Sequence, residues 1–137
     1  MSDLVRLSFS IEDKLLRKME RLLKKSQSTN RSEYIRDLIR ARIVETEWDR
    51  DGEAIGTITL VYNHEQRQLS DKLTSIQHKH HHAVMATTHV HLDNHMCAEM
   101  IMVKGKAHII REIADAIGKQ KGVLHSSLSM SSTGKQL

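Results

Sequence analysis

The chain opens on an alternation of period two. Val5, Leu7, Phe9 and Ile11 alternate with Arg6, Ser8 and Ser10, so residues 4–11 predict a strand with one apolar and one polar face. The period then changes. Ile11, Leu15, Leu16, Met19, Leu22 and Leu23 follow helical spacing, with Ser10 and Asp13 placed as a capping box and a polar run at 26–29 as the stop. Asn30 and Glu33 form a second capping signature, and Tyr34, Ile35, Leu38, Ile39 and Ile43 give a second stripe. Residues 1–46 therefore predict strand, helix, helix. A lone strand has two unpaired edges, and so short a unit buries little surface. Pairing with a second copy answers both problems: two strands form an antiparallel ribbon backed by four helices.

A charged stretch at 47–52 lacks periodicity and predicts a linker. Beyond it, residues 53–62 are β-like and 64–78 helical through Leu69, Leu73 and Ile76. Residues 83–92 are β-like, Asp93 and Asn94 signal a turn, and 97–103 form another strand that Lys104 and Gly105 break. Ala107 to Ile117 is helical with Gly118 as its end, and 123–130 is a last strand. The order βαββαβ over 53–131 predicts a ferredoxin-like unit, an antiparallel sheet with two helices on one face. The fold class is α+β, and residues 132–137 form a tail.

Composition adds bounds. The 137 residues hold no proline, six glycines and 3% aromatics, enough for one domain or two small ones. The formal charge is +4. Residues 1–50 carry 12 Lys/Arg against 9 Asp/Glu, and residues 51–137 carry 9 against 8. The basic excess at the N-terminal end points to an anionic partner there. A single cysteine excludes an intrachain disulfide. No secretory signal is expected, nor an apolar run near the ~18 residues of a membrane span, so a reducing cytoplasm is the expected location.

The histidines change the picture most. All ten lie between His64 and His125, and Cys97 lies among them. Neutral imidazole and thiolate are ligands for nickel, copper, zinc and iron. His89 and His91 are two apart on a predicted strand and share a face. A tight turn around Asp93 brings Cys97 back opposite His89, so two imidazoles and a thiolate converge locally. The fourth donor is open between the cluster His78, His80, His81 and His82 and the nearer His95. His64, His108 and His125 read as ordinary surface or core histidines. On the N-terminal strand, Arg6, Ser8 and Ser10 line the polar face of the expected ribbon, narrow enough for a DNA major groove. Asn30 and Arg31 at a helix N-terminus suit a phosphate.

Residues 5–45 resemble the ribbon-helix-helix repressor family in their short strand, helix, polar turn and the Asn-Arg-Ser-Glu segment at 30–33 that opens the second helix. The resemblance widens at Gln77 and His78, at the run 86–91 ending in His89 and His91, and at Cys97 with Glu99. These look like the signature of the nickel-responsive regulator family, NikR, over nearly the whole chain. The resemblance implies a planar site of three nitrogens and one sulfur, from His89, His91 and Cys97 of one subunit and His78 of a facing subunit, with one Ni(II) per subunit. It also implies an ACT-type βαββαβ domain, a homotetramer, and a Glu99 that hydrogen-bonds near the ligands. It implies repression of nickel-uptake genes through double-stranded operator DNA. Arg67 follows Gln66, where some members carry a lysine near the DNA backbone, and Lys121 stands where some have arginine. Glu33 and Asp37 match a pair that can hold a second, weaker cation, with solvent-facing charge as the alternative.

Two other readings use the same residues: a metal-binding or delivery protein without a DNA role, and a ribbon-helix-helix antitoxin with incidental histidines. An enzyme is not expected. A metalloenzyme needs an open coordination position beside an acid or base, and a closed four-ligand site leaves no room for substrate.

Overall fold

The structure, a computed structural model of the chain, describes residues 3–28 and 30–137. Met1, Ser2 and Thr29, the last residue of the expected polar stop, lie outside them. The chain divides into two compact units, Met1–Arg40 and Ala41–Leu137.

In the first unit, helix α1 spans Asp13–Lys25 and helix α2, Arg31–Asp49, begins. The Ser10–Asp13 capping box does not form: Glu12 is the N-cap and makes no side-chain cap bond. Asp13 instead pairs with Arg17 at 2.9 Å, and its place in the first turn suits the helix dipole, as Lys24 and Lys25 do in the last. The second cap is as expected, with the Glu33 N–H donating to Asn30 Oδ1 at 2.7 Å. α1 buries none of its side chains. Leu4, Val5, Leu7 and Phe9 are exposed, Val5 by 87%. Residues 4–11 join no ladder among the described residues, so the expected strand does not form in the single chain.

α2 runs past the expected boundary at 46 and into the predicted linker at 47–52. No glycine or proline interrupts 31–51, and Trp48 has a place to go. It is 2% exposed, its indole Nε1–H donates to the Ser131 carbonyl at 2.9 Å, and the Arg111 guanidinium lies 5.7 Å from its ring. The chain turns only at Asp51, which is left-handed at φ 57°, and at Gly52, whose N–H donates to the Glu47 carbonyl at 2.7 Å.

The rest of the second unit is βαββαβ. Strands β1 (Glu53–Asn63), β2 (Val84–His91), β3 (Met96–Lys106) and β4 (Val123–Ser132) are joined through helices α3 (Leu69–Lys79) and α4 (Ala107–Gly118). The sheet order is β2-β3-β1-β4, antiparallel throughout. The chain is thus α+β, with a ferredoxin-like C-terminal unit. Alternation decides what is buried: Ala54, Ile58, Leu60 and Tyr62 from β1, and Cys97, Ile101 and Val103 from β3, pack with Leu69 and Leu73 of α3 and Ile110, Ile113 and Ile117 of α4. Two expectations yield to pairing. β3 continues through Lys104 and Gly105, which stand opposite Ile55 and Ala54 in the ladder. The helix expected from His64 starts at Leu69, after a turn in which Gln68 is left-handed at φ 64°.

Candidate metal centre

Strand register builds the site. Tyr62, Cys97 and His91 stand in one row across β1, β3 and β2, and Leu60, Glu99 and His89 in the next but one. Residues in a row share a face, and alternate rows share it too. The expectation put Cys97 opposite His89, whereas the structure puts it opposite His91. The turn is centred one residue later than expected, at Asn94 rather than Asp93. Asp93 Oδ1 accepts the N–H groups of both His95 and Met96, at 2.7 and 2.8 Å, and the Leu92 N–H donates to the Met96 carbonyl at 2.8 Å. The resulting shift of two residues preserves the face, so His89, His91 and Cys97 still share it. The two N–H donors hold the Asp93 carboxyl below the usual carboxylate range.

Cys97 is fully buried, with Sγ 3.3 Å from His91 Nδ1. The rings of His89 and His91 are 5.0 Å apart. Burial pushes the Cys97 thiol up, and the carboxylates of Asp93 and Glu99 push the same way. A thiolate there is disfavoured until a cation offsets it, which is how metal binding comes to release a proton. Tyr62 Oη lies 3.3 Å from His89 Nδ1. Burial first, then Glu99 and Cys97, push this phenol up to about 12, so it stays neutral beside the imidazole. Glu99 is 8% exposed and faces His89 across the ladder, but the polar group that reaches His89 is Tyr62.

His64, which reads from the sequence as an ordinary surface or core histidine, also reaches the site. It follows the end of β1, its N–H donates to the His95 carbonyl at 3.0 Å, and its Nε2 lies 2.7 Å from the Asn94 carbonyl oxygen. Its ring stands edge-on to that of His91, 5.8 Å away. The ligating atoms of His64, His91 and Cys97 all lie within 4.8 Å of one another. A signal existed: Leu60, Tyr62 and His64 keep the period of β1, so His64 extends the row of buried positions beyond the strand.

His78 is exposed in the last turn of α3, with its ring 6.2 Å from that of His81. His80 is the C-cap of α3, and His81 and His82 are exposed beyond it. His95 pairs with Glu65 at 3.1 Å. Arg6, Ser8 and Ser10 are exposed, and Arg6 borders a groove with Phe9, Ile35 and Ile39. Asn30 is engaged as a cap, Arg31 pairs with Glu20, and Arg67 is exposed in the turn before α3. Glu33 and Asp37 are each paired with an arginine of their own helix, Arg36 and Arg40.

Two imidazoles beside a buried thiol fit a borderline-soft divalent ion better than magnesium or calcium, which take oxygen ligands. Residues 55–131 match the NikR C terminal nickel binding domain, and residues 5–46 match the ribbon-helix-helix protein, copG family. The chain belongs to the NikR family. Among its NikR relatives, one from Geobacter metallireducens is 49% identical over all of this chain and 99% of its own length. Another, from Caldanaerobacter subterraneus subsp. tengcongensis, is 51% identical over all of this chain and 90% of its own. Both carry the name "Putative nickel-responsive regulator". An uncharacterized protein from Thermotoga maritima, 11% identical, superposes at a TM-score of 0.52 over 57% of this chain and 96% of its own, a likeness of fold alone. Among the described residues of this NikR chain, no helix is long and apolar enough to cross a membrane.

Proposed function

We propose that the chain is a cytoplasmic, nickel-dependent transcriptional repressor that controls nickel-uptake genes. The observation that carries this is the pairing of a buried Cys97 with His91 in one row, with His89 on the same face two residues along. In this reading His89, His91 and Cys97 of one subunit and His78 of a facing subunit hold one Ni(II) per subunit. When bound, nickel supplies the positive charge that a thiolate needs at this buried position. Cys97 would then give up its proton, Tyr62 would fix the orientation of His89 with Glu99 facing it across the ladder, and the hairpin would hold the donors in place.

The N-terminal unit supplies the DNA-binding half. Its exposed apolar residues Val5, Leu7 and Phe9 support pairing with a second copy, with Arg6, Ser8 and Ser10 presented to base edges. Asn30, Arg31 and Arg67 contact the backbone. Two such dimers joined through the C-terminal units make a homotetramer. Glu33 and Asp37 would take a second, weaker cation only by releasing their arginines. Nickel changes operator affinity to the extent that it favours one arrangement of the tetramer over others.

Nickel titration followed by absorption and by gel retardation of the protein's own upstream DNA tests this. Cys97→Ala should lose the thiolate charge-transfer band and the nickel-induced retardation while keeping wild-type circular dichroism. Retardation unchanged in that variant rejects the thiolate as a ligand. His78→Ala should weaken nickel binding, and an affinity equal to wild type moves the fourth donor to His80, His81, His82 or His95.

A further inference from the structure

A groove between α4 and β4 lies at the edge of the sheet away from β2 and its histidines. It encloses about 240 Å³. Arg111, Asp115, Ser126 and Ser127 line its polar part, and Ile58 and Leu128 its apolar part. We propose that this groove binds a short zwitterion, a molecule with an ammonium and a carboxylate a few carbons apart. Arg111 takes the carboxylate, Asp115 takes the ammonium, and the apolar part covers the carbon chain. The proposal is independent of the nickel reading and uses none of its ligands.

Three observations carry it. Arg111 is held in place without being neutralised. Its guanidinium lies 5.7 Å from the centre of the Trp48 ring, and one of its nitrogens is 4.0 Å from Met130 Sδ. Neither neighbour carries charge, and among the described residues no acid pairs with it. A cation on an aromatic face keeps its charge, and a fixed guanidinium fork suits the two oxygens of a carboxylate. Asp115, one turn further on α4, is likewise unpaired among the described residues. Base before acid is the weaker order for a helical pair, so both charges stay available on one side of the helix. The third observation is Gly118. A Cβ there would come within 2.7 Å of Ser126 Oγ, so the missing side chain leaves room for that hydroxyl at the groove.

The charges select the occupant. A lone carboxylate on Arg111 would be repelled by the Asp115 carboxylate, and a lone ammonium on Asp115 would meet the guanidinium. A molecule with both charges satisfies both residues. Positions four apart on a helix are about 6 Å apart along its axis, a span that one to three carbons between the charges can bridge. The volume sets the size. It falls below the ~300–1,000 Å³ of drug-sized sites, so the occupant has few heavy atoms and no bulky side group.

The test titrates the full-length protein with glycine, β-alanine and 4-aminobutyrate, whose charges are one, two and three carbons apart, and with acetate and methylammonium as single-charge controls. Trp48, the only tryptophan, reports through its emission, because a carboxylate on Arg111 changes the charge over its ring. The methyl resonances of Ile58 and Leu128 report on the apolar part. At least one zwitterion should give a saturable change in both signals, and acetate and methylammonium should bind ~10-fold or more weakly, the loss expected for one missing charge-assisted contact. Asp115→Asn should reduce that zwitterion to the level of acetate while leaving the circular dichroism as in the wild type. Arg111→Lys, which keeps the charge but loses the fork, should weaken the zwitterion and acetate together. No saturable change with any of the three zwitterions overturns the proposal, whether the groove stays empty or a second copy covers it. A response that acetate matches, or that Asp115→Asn leaves unaltered, overturns it too.

Discussion

Trp48 gives a sharp test of where the second unit begins. A tryptophan in a charged linker contributes little, and substitutions at such sites usually stay within about 0.5 kcal/mol. The structure places it in the core at 2% exposure, with an indole hydrogen bond to Ser131 and Arg111 over its ring. Trp48→Ala removes the largest side chain in that corner and should cost ~3–5 kcal/mol. That is a large share of the ~5–15 kcal/mol that holds a typical domain folded. Trp48→Phe keeps a ring under Arg111 but loses the indole donor. The bond alone is worth ~0.5–1.5 kcal/mol, so with the smaller ring the loss should be about 2 kcal/mol. Urea unfolding followed by far-ultraviolet circular dichroism, at one fixed protein concentration because association adds to stability, measures both. As the only tryptophan, Trp48 also reports on itself: its emission should be blue-shifted and poorly quenched by acrylamide. A Trp48→Ala loss below ~0.5 kcal/mol, or emission like that of free indole in water, would refute the placement.

Asp51 should govern part of the acid limb of stability. It accepts from the His108 backbone N–H at 2.7 Å and lies 2.6 Å from His108 Nδ1, contacts that hold its carboxyl below its ordinary value of 3.8. Its contribution is therefore fully present above pH 3.8 and is lost as pH falls through the lower folded value. Asp51→Asn should flatten the dependence of melting temperature on pH in that window, and an unchanged slope counts against the contact. Arg6→Ala should abolish sequence-specific DNA binding in a gel-shift assay yet leave nickel affinity as it was; loss of both would show that the two units do not act independently. Tyr62→Phe should weaken nickel by ~10-fold or more through its lost contact with His89, measured by chelator competition, and equal affinities would show that the phenol does not orient the imidazole.

Much of the fold was legible because it is written in local period. The alternation of Ile58, Leu60 and Tyr62 and the spacing of Ile110, Ile113 and Ile117 need no long-range knowledge. That His89, His91 and Cys97 share a face was legible for the same reason, since a hairpin is the shortest-range tertiary contact. His64 and Tyr62 were not, because they reach the site through the register of β1 against β3, which no neighbouring residue encodes. Trp48 was misplaced because one apolar residue among charges carries no period. The alternation at residues 4–11 predicted a strand, but no strand forms there in the single chain; on the proposed reading its partner is a second copy.

The facing of Cys97 is fixed by strand β3 rather than by the loop at 92–96. Cys97, Ile101 and Val103 lie an even number of residues apart and share the buried face, and side chains reverse direction at every step along a strand. A residue inserted in the loop would be taken up there, because turning Cys97 over would also turn Ile101 and Val103 out of the core. One inserted between Cys97 and Ile101 would instead turn the thiol towards the opposite surface of the sheet while leaving every donor in the sequence. The even interval from Cys97 to the core therefore acts as a ruler, and a chain with all the right residues but an odd change in that count would lose its thiol from the site.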